Sequence, residues 1–112
     1  MLNQIVLVGR ITRDIEMRET ESGKKVATLS LAVPRNFKNI DGEYETDFLH
    51  CSLWDVIAEN TKEYCKVGDL VGIKGRVASS TYEKDGEKRY SMDIIAEKVT
   101  FLSTKKQEEA EG

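Results

Sequence analysis

Residues 47–78, DFLHCSLWDVIAENTKEYCKVGDLVGIKGRVA, change period twice, and those changes decide the fold. Up to Trp54 the residues alternate. Leu49, Cys51 and Leu53 fall on one side, and Phe48, His50, Ser52 and Trp54 on the other, so an aliphatic strand face backs an aromatic and polar one. From Val56 to Lys66 the period is helical, with Ile57, Thr61, Tyr64 and Cys65 at i, i+4, i+7 and i+8. Asp55 fits an N-cap and Gly68 a C′ position. A strand then resumes from Leu70 to Ala78, with Val71, Ile73 and Val77 inward and Lys74 and Arg76 outward.

Working back towards the amino terminus, Met1 to Thr12 reads MLNQIVLVGRIT, apolar on both strand faces, with Ile5, Leu7 and Ile11 opposed to Val6 and Val8. A strand buried on both sides in so small a domain is expected to meet a second subunit. Ile15 to Thr20 is a short extended piece, and Glu21-Ser22-Gly23-Lys24 a turn. A strand follows from Lys25 to Val33, with Ala27, Leu29, Leu31 and Val33 facing the core and the smaller Val26, Thr28, Ser30 and Ala32 facing out. Pro34 is expected to end that ladder, leaving Arg35 to Thr46 as a long hairpin loop.

Towards the carboxyl terminus, Asp85-Gly86 between extended segments signals a tight hairpin. The last strand is expected from Lys88 to Leu102, with a bulge or change of face at Ile94-Ile95. After Ser103 the chain reads STKKQEEAEG, without an apolar anchor, and is expected to be disordered. The order is therefore three strands, one short helix and two long strands. That predicts an all-β OB-fold, a five-stranded Greek-key barrel with its helix between strands three and four. Residues 1–102 form the domain and 103–112 a short polar tail.

The bulk properties agree with one soluble domain. The chain has 112 residues, 39% of them hydrophobic and 33% charged, which is enough for one modest core. No apolar run is long enough to span a membrane, and no signal peptide is visible, so the expected location is the cytoplasm. Cys51 and Cys65 belong to no CxxC pair and are read as buried packing. The net charge of −3 argues against nucleic-acid binding by bulk positive charge.

A local site remains compatible with that charge. In such a barrel Phe37, Phe48, Trp54 and Tyr82 can line one groove, and Arg10, Arg35, Lys38, Lys74 and Arg76 can supply cations beside it. Rings that stack on bases, with cations that follow phosphates, are the chemistry of single-strand binding. Each ring taken singly is better explained by packing, but their alternation against a filled aliphatic face favours the groove. Lys24, Lys25, Lys88 and Arg89 sit at turns and are read as solvated. His50, Cys51 and Cys65 make a poor metal set, because alternation sends His50 and Cys51 to opposite faces. No cofactor is implied, and no phosphate loop, nucleophile elbow or carboxylate pair supports an enzyme.

The blocks MLNQIVLVGRITRD, VATLSLAV, PRNFKNIDGEYETDFLHCSLWDVIAEN and VGIKGRV, followed by TYEKDGEKRY, resemble bacterial single-stranded DNA-binding proteins over about residues 1–102. The resemblance implies an OB-fold protomer in a homotetramer that binds and protects single-stranded DNA in replication, recombination and repair, in association with the nucleoid. It places the stacking positions at Phe37, Phe48, Trp54 and Tyr82. It places subunit contacts on the first strand, at Leu2, Gln4, Val6 and Val8, with Leu49 at an assembly-sensitive position.

The chain departs from that family pattern in three places. Asp55 follows Trp54 where Arg is common, and Ser79-Ser80 replace a frequent Thr-Arg pair. Both changes remove cations, so a weaker salt dependence is expected. The family's acidic, hydrophobic tip is absent at Glu111-Gly112, so recruitment of other replication proteins is not expected. A short paralogue, a phage- or plasmid-encoded form and a truncated chain all fit that ending. The alternative to the leading reading is an OB accessory module of a primosome-like complex, or an RNA binder.

Overall fold

The computed structural model describes residues 1–105. Its strands are β1 (Ile5–Ile11), β2 (Glu16–Glu19), β3 (Lys25–Lys38), β4 (Tyr44–Trp54), β5 (Leu70–Lys84) and β6 (Glu87–Ser103), with helix α1 (Asp55–Tyr64) between β4 and β5. They form one sheet in the order β1-β5-β6-β4-β3-β2, and β1 pairs again with β3 at Arg10↔Ala32 and Ile11↔Leu31. That last pairing closes a ring of five strands. The expected OB barrel is therefore present, with its helix between the third and fourth strands of the ring. The short piece after β1 becomes β2, which continues the line of β1 along β3. Every pairing is antiparallel except β4 with β6, where Cys51↔Ile94 and Ser52↔Ile95 run parallel.

Strand alternation builds the core as expected. Leu29 and Leu31 of β3, Leu53 of β4 and Val71 of β5 are fully buried, with Ile11, Cys51, Ile73 and Ala96 beside them. Each large aliphatic removed from water contributes about 1.5–3 kcal/mol. Two glycines permit the closure. A Cβ on Gly9 would stand 2.8 Å from Val33 Cγ2 and 2.9 Å from the Ala32 carbonyl oxygen, where β1 crosses β3. A Cβ on Gly75 would stand 2.1 Å from the Ile95 carbonyl oxygen, where β6 presses on β5.

Several local expectations are corrected. Pro34 does not end β3. It sits opposite Thr46, and the ladder shifts register between Pro34 and Lys38, so an irregularity absorbs the missing amide donor. The expected long loop shrinks to residues 39–43, where Asn39 Oδ1 accepts the Asp41 and Glu43 amides at 2.9 and 3.0 Å. In β6 the register shifts fall between Lys98 and Ala96 and between Ser103 and Phe101, not at Ile94-Ile95. Those two isoleucines are both half-buried because one faces the core beside Cys51 while the other faces outward beside Ser52.

The helix also differs in detail. Asp55 is its first residue rather than its N-cap, with φ 49°, a region that Asp tolerates better than most residues. Its carboxylate accepts the Lys25 amide at 3.2 Å and so ties the helix start to β3. The buried helical positions are Ala58 and Thr61, while Tyr64 is exposed. Small side chains let the helix settle closely on the barrel, whereas counting large apolar residues favoured Tyr64. The helix is capped at Cys65, and Gly68 instead supplies φ +94° in the turn beyond, with its amide bonded to the Ile11 carbonyl.

The hairpin signal at Asp85-Gly86 is borne out, with φ 54° and 76°, both positive as a type I′ turn requires. The turn ends a long β5–β6 arm whose outer half, from Ser79 to Asp93, is exposed on both faces. Asn3 braces its base, donating to the Val77 carbonyl at 2.7 Å and accepting the Val77 amide at 3.0 Å. The expected disordered tail lies largely outside the described residues.

Candidate nucleic-acid interface

The outward residues of β4 form the centre of a broad sheet face. Register places Val26 beside Trp54, Ser30 beside His50 and Ala32 beside Phe48. Between these, Thr28, Ser52, Ile95 and Arg76 make one row across β3, β4, β6 and β5. Phe48 is 68% exposed although it lies in a paired strand, so packing does not account for it. Trp54 is half-buried and lines an open cleft of about 500 Å³ with Arg76, Ile95, Lys24, Thr20 and Ser22. Tyr82, half-exposed, lies six residues beyond Arg76 on β5, on the same face by alternation.

The remaining candidates are more dispersed. Phe37 and Lys38 stand at the far end of β3, with Phe37 61% exposed and the Lys38 ammonium 5.7 Å from the centre of the Tyr44 ring. Lys74 lies opposite Val6 and Lys98, on the side of the barrel formed by β1, β5 and β6. Arg35 is committed elsewhere: its guanidinium reaches Asp47 at 2.9 Å and Glu45 at 2.6 Å. The hydrogen bonds from Arg35 hold the Asp47 carboxyl below its ordinary range. Arg10 donates to the Gly68 carbonyl at 2.7 Å and so helps fix the turn after the helix.

The face also carries polar groups that the reading of the sequence did not single out. Ser52 Oγ donates to Asp93 Oδ2 at 2.6 Å, and Ser30 Oγ lies 3.0 Å from His50 Nδ1. Alternation along β4 put His50 and Ser52 on this side. Asp93 carried no local signal, because only the β4–β6 pairing brings it here. Lys24, read as a solvated turn residue, lines the Trp54 cleft.

Leu2, Gln4, Val6 and Val8 are exposed, with Val6 at 67% and Val8 at 49%. Leu49 is half-buried in a cleft with Phe48, Ile5, Val77, Met92 and Ile94. Both cysteines are buried and unpaired, as expected. Burial, and secondarily the charge of Asp93, pushes the Cys51 thiol up to about 11. Burial, then Asp69, raises Cys65. Among the described residues no group of three His, Cys, Asp or Glu side chains could hold a metal ion, and no helix is long and apolar enough to cross a membrane.

A closed five-stranded barrel whose outer face exposes aromatic rings beside cations defines the class: an OB-fold protein of the nucleic-acid-binding kind. The sequence model of the Single-strand binding protein family matches residues 2–102, and the chain belongs to that family. It is 45% identical over 111 residues to single-stranded DNA-binding protein B of Bacillus subtilis, with 98% of each chain covered. It is 49% identical over 106 residues to single-stranded DNA-binding protein 3 of Listeria innocua, covering 94% of this chain and 66% of that one. Among solved structures, the wild-type single-stranded DNA binding protein from Thermus aquaticus superposes with a TM-score of 0.78 at 30% identity. That match covers 91% of this chain and half of the other.

Proposed function

We propose that residues 1–102 bind and protect single-stranded DNA with little sequence preference, as a homotetramer in the cytoplasm, during replication, recombination and repair. The observation that carries this reading is the pair of rings on the outer face of β4, Phe48 exposed and Trp54 half-exposed beside Arg76, in a chain of this family. They lie six positions apart on the strand, roughly 20 Å at about 3.3 Å per residue, which leaves room for several nucleotides between two stacking points. Rings grip the π-faces that all bases share, so the contact is indifferent to sequence. Cations beside them exchange condensed counterions for phosphates, so binding weakens with salt. The role is to hold and shield DNA, without catalysis. Titration with dT oligomers at low salt should quench Trp54 fluorescence, and absence of quenching overturns the reading.

Self-association through β1 is supported by the exposed apolar pair Val6 and Val8, next to a strand edge that β3 meets only at Arg10 and Ile11.

A further inference from the structure

Next to Trp54 across the sheet, β3 offers no charge. Its outward residues there are Val26, Thr28, Ser30 and Ala32, so a DNA strand that leaves Trp54 over β3 meets its next cation on β2. That cation is Arg18. Register puts Arg18 opposite Val26, and Val26 opposite Trp54, and residues paired in this way share a face of the sheet. Arg18 therefore stands in line with the Trp54 ring, two strands away, roughly 10 Å at about 4.8 Å per spacing.

Arg18 and Arg13 are both exposed, and among the described residues no hydrogen bond or ion pair engages either. Both line an open hollow of about 510 Å³ together with Thr28, Ser30 and His50. Asp14 and Glu16 line it too, and Glu16 lies opposite Thr28, one outward position back from Arg18. A carboxylate repels a phosphate, so an anion entering the hollow is directed to its arginines. Resting on the reading above, we propose that Arg18 is a phosphate-contact residue: the bound strand crosses the sheet at Trp54 and continues over β3 onto β2, where Arg13 is the second cation of the same subsite.

The chemistry suits the ligand. A guanidinium with no partner in the protein can present two parallel N–H donors to two oxygens of one phosphodiester. Such a contact carries no base information, so it leaves the grip indifferent to sequence. A base stacked on Trp54 holds its own phosphate within a nucleotide's length of the ring, and an extended arginine side chain covers the rest of the distance. Ring and cation then act on one nucleotide, and each depends on the other. With Arg76 on the β5 side and Arg18 on the β2 side, the path runs across the strands rather than along β4.

The test is a salt series of dT oligomer binding. Arg18→Ala should reduce the magnitude of the slope of log affinity against log salt by about 0.7, the value for one single-strand phosphate contact, and Arg18→Lys should retain the slope. Lys98→Ala, on the side of the barrel formed by β1, β5 and β6, removes the same charge and should change the slope less than half as much. In a Trp54→Ala background, Arg18→Ala should cost less affinity than it does in wild type, as expected of groups that share one partner. A slope unchanged by Arg18→Ala, a change matched by Lys98→Ala, or strictly additive losses with Trp54→Ala would each overturn the inference. Wild-type protein supplies a further arm that needs no variant: bound dT should slow the modification of Arg18 by phenylglyoxal severalfold, read by peptide mass, and equal modification with and without DNA overturns the inference. If Trp54→Ala and Arg76→Ala weaken binding while Arg18→Ala does not, the inference falls and the proposed function stands. If wild type does not bind dT, both fall.

Discussion

At the scale of single residues, the decisive contrast is between Phe48 and Trp54 outside and Cys51 and Leu53 inside, on the same strand. Trp54→Ala should weaken binding to all base compositions alike by about 1–3 kcal/mol, the range for one stacked base. Fluorescence anisotropy with labelled oligomers of several compositions checks it, and a loss confined to one composition contradicts stacking. Cys51 makes a second residue-scale case. Its folded thiol titrates near 11 against an ordinary 9, so the fold holds the protonated form. The stability this contributes is present below pH 9 and is lost as pH rises through about 11. Iodoacetamide at pH 8 should leave Cys51 unlabelled in native protein and modify it in urea. Native labelling as fast as in urea would show that the thiol is accessible and unperturbed.

At the scale of elements, strand alternation, the helical period and the Asp85-Gly86 hairpin were all legible, because each is written in neighbouring residues. The extension of β3 past Pro34 was not. A proline demotes a ladder locally, and only the partner strand, with its register shift, restores pairing further on. The bulge near Glu97 was misplaced for a similar reason: it is set by the close approach of β6 to Gly75, a contact between residues about twenty apart. Gly75→Ala should therefore be costly, at the upper end of the 1–3 kcal/mol typical of overpacking or beyond, because its Cβ meets backbone rather than a movable side chain. A fall in the urea midpoint checks this, and an unchanged midpoint would mean that β6 moves aside at no cost.

At the scale of the whole molecule, charge and assembly govern behaviour. The net charge of −3 does not exclude a nucleic-acid face, because Arg76 and Lys24 are concentrated at the Trp54 cleft. Arg35, by contrast, is held by Asp47 and Glu45. Arg76→Ala should reduce the magnitude of the slope of log affinity against log salt by about 0.7, the value for one single-strand phosphate contact. Arg35→Ala should change it less, since its charge is already countered within the protein. A salt series on both variants decides between them, and equal slope changes would mean that DNA releases Arg35 from its carboxylates. Val6→Arg places a charge on an exposed position of β1 and should leave the barrel intact while lowering the mass found by light scattering. An unchanged mass would move the subunit contact to another surface.

The barrel, its strand and helix order, the core faces and the outward rings of β4 were readable from the chain alone, since all of these follow from local period and from side chains near in the chain. Which cations are available, and which polar groups from other strands join the aromatic face, came from the folded arrangement. Arg35 and Arg10 were drawn into internal contacts, while Lys24 and Asp93 were brought to the rings. The physical reason is that hydrogen bonds and ion pairs depend on angstrom-scale distances across paired strands. Barrel closure sets those distances, and no period within one strand encodes them.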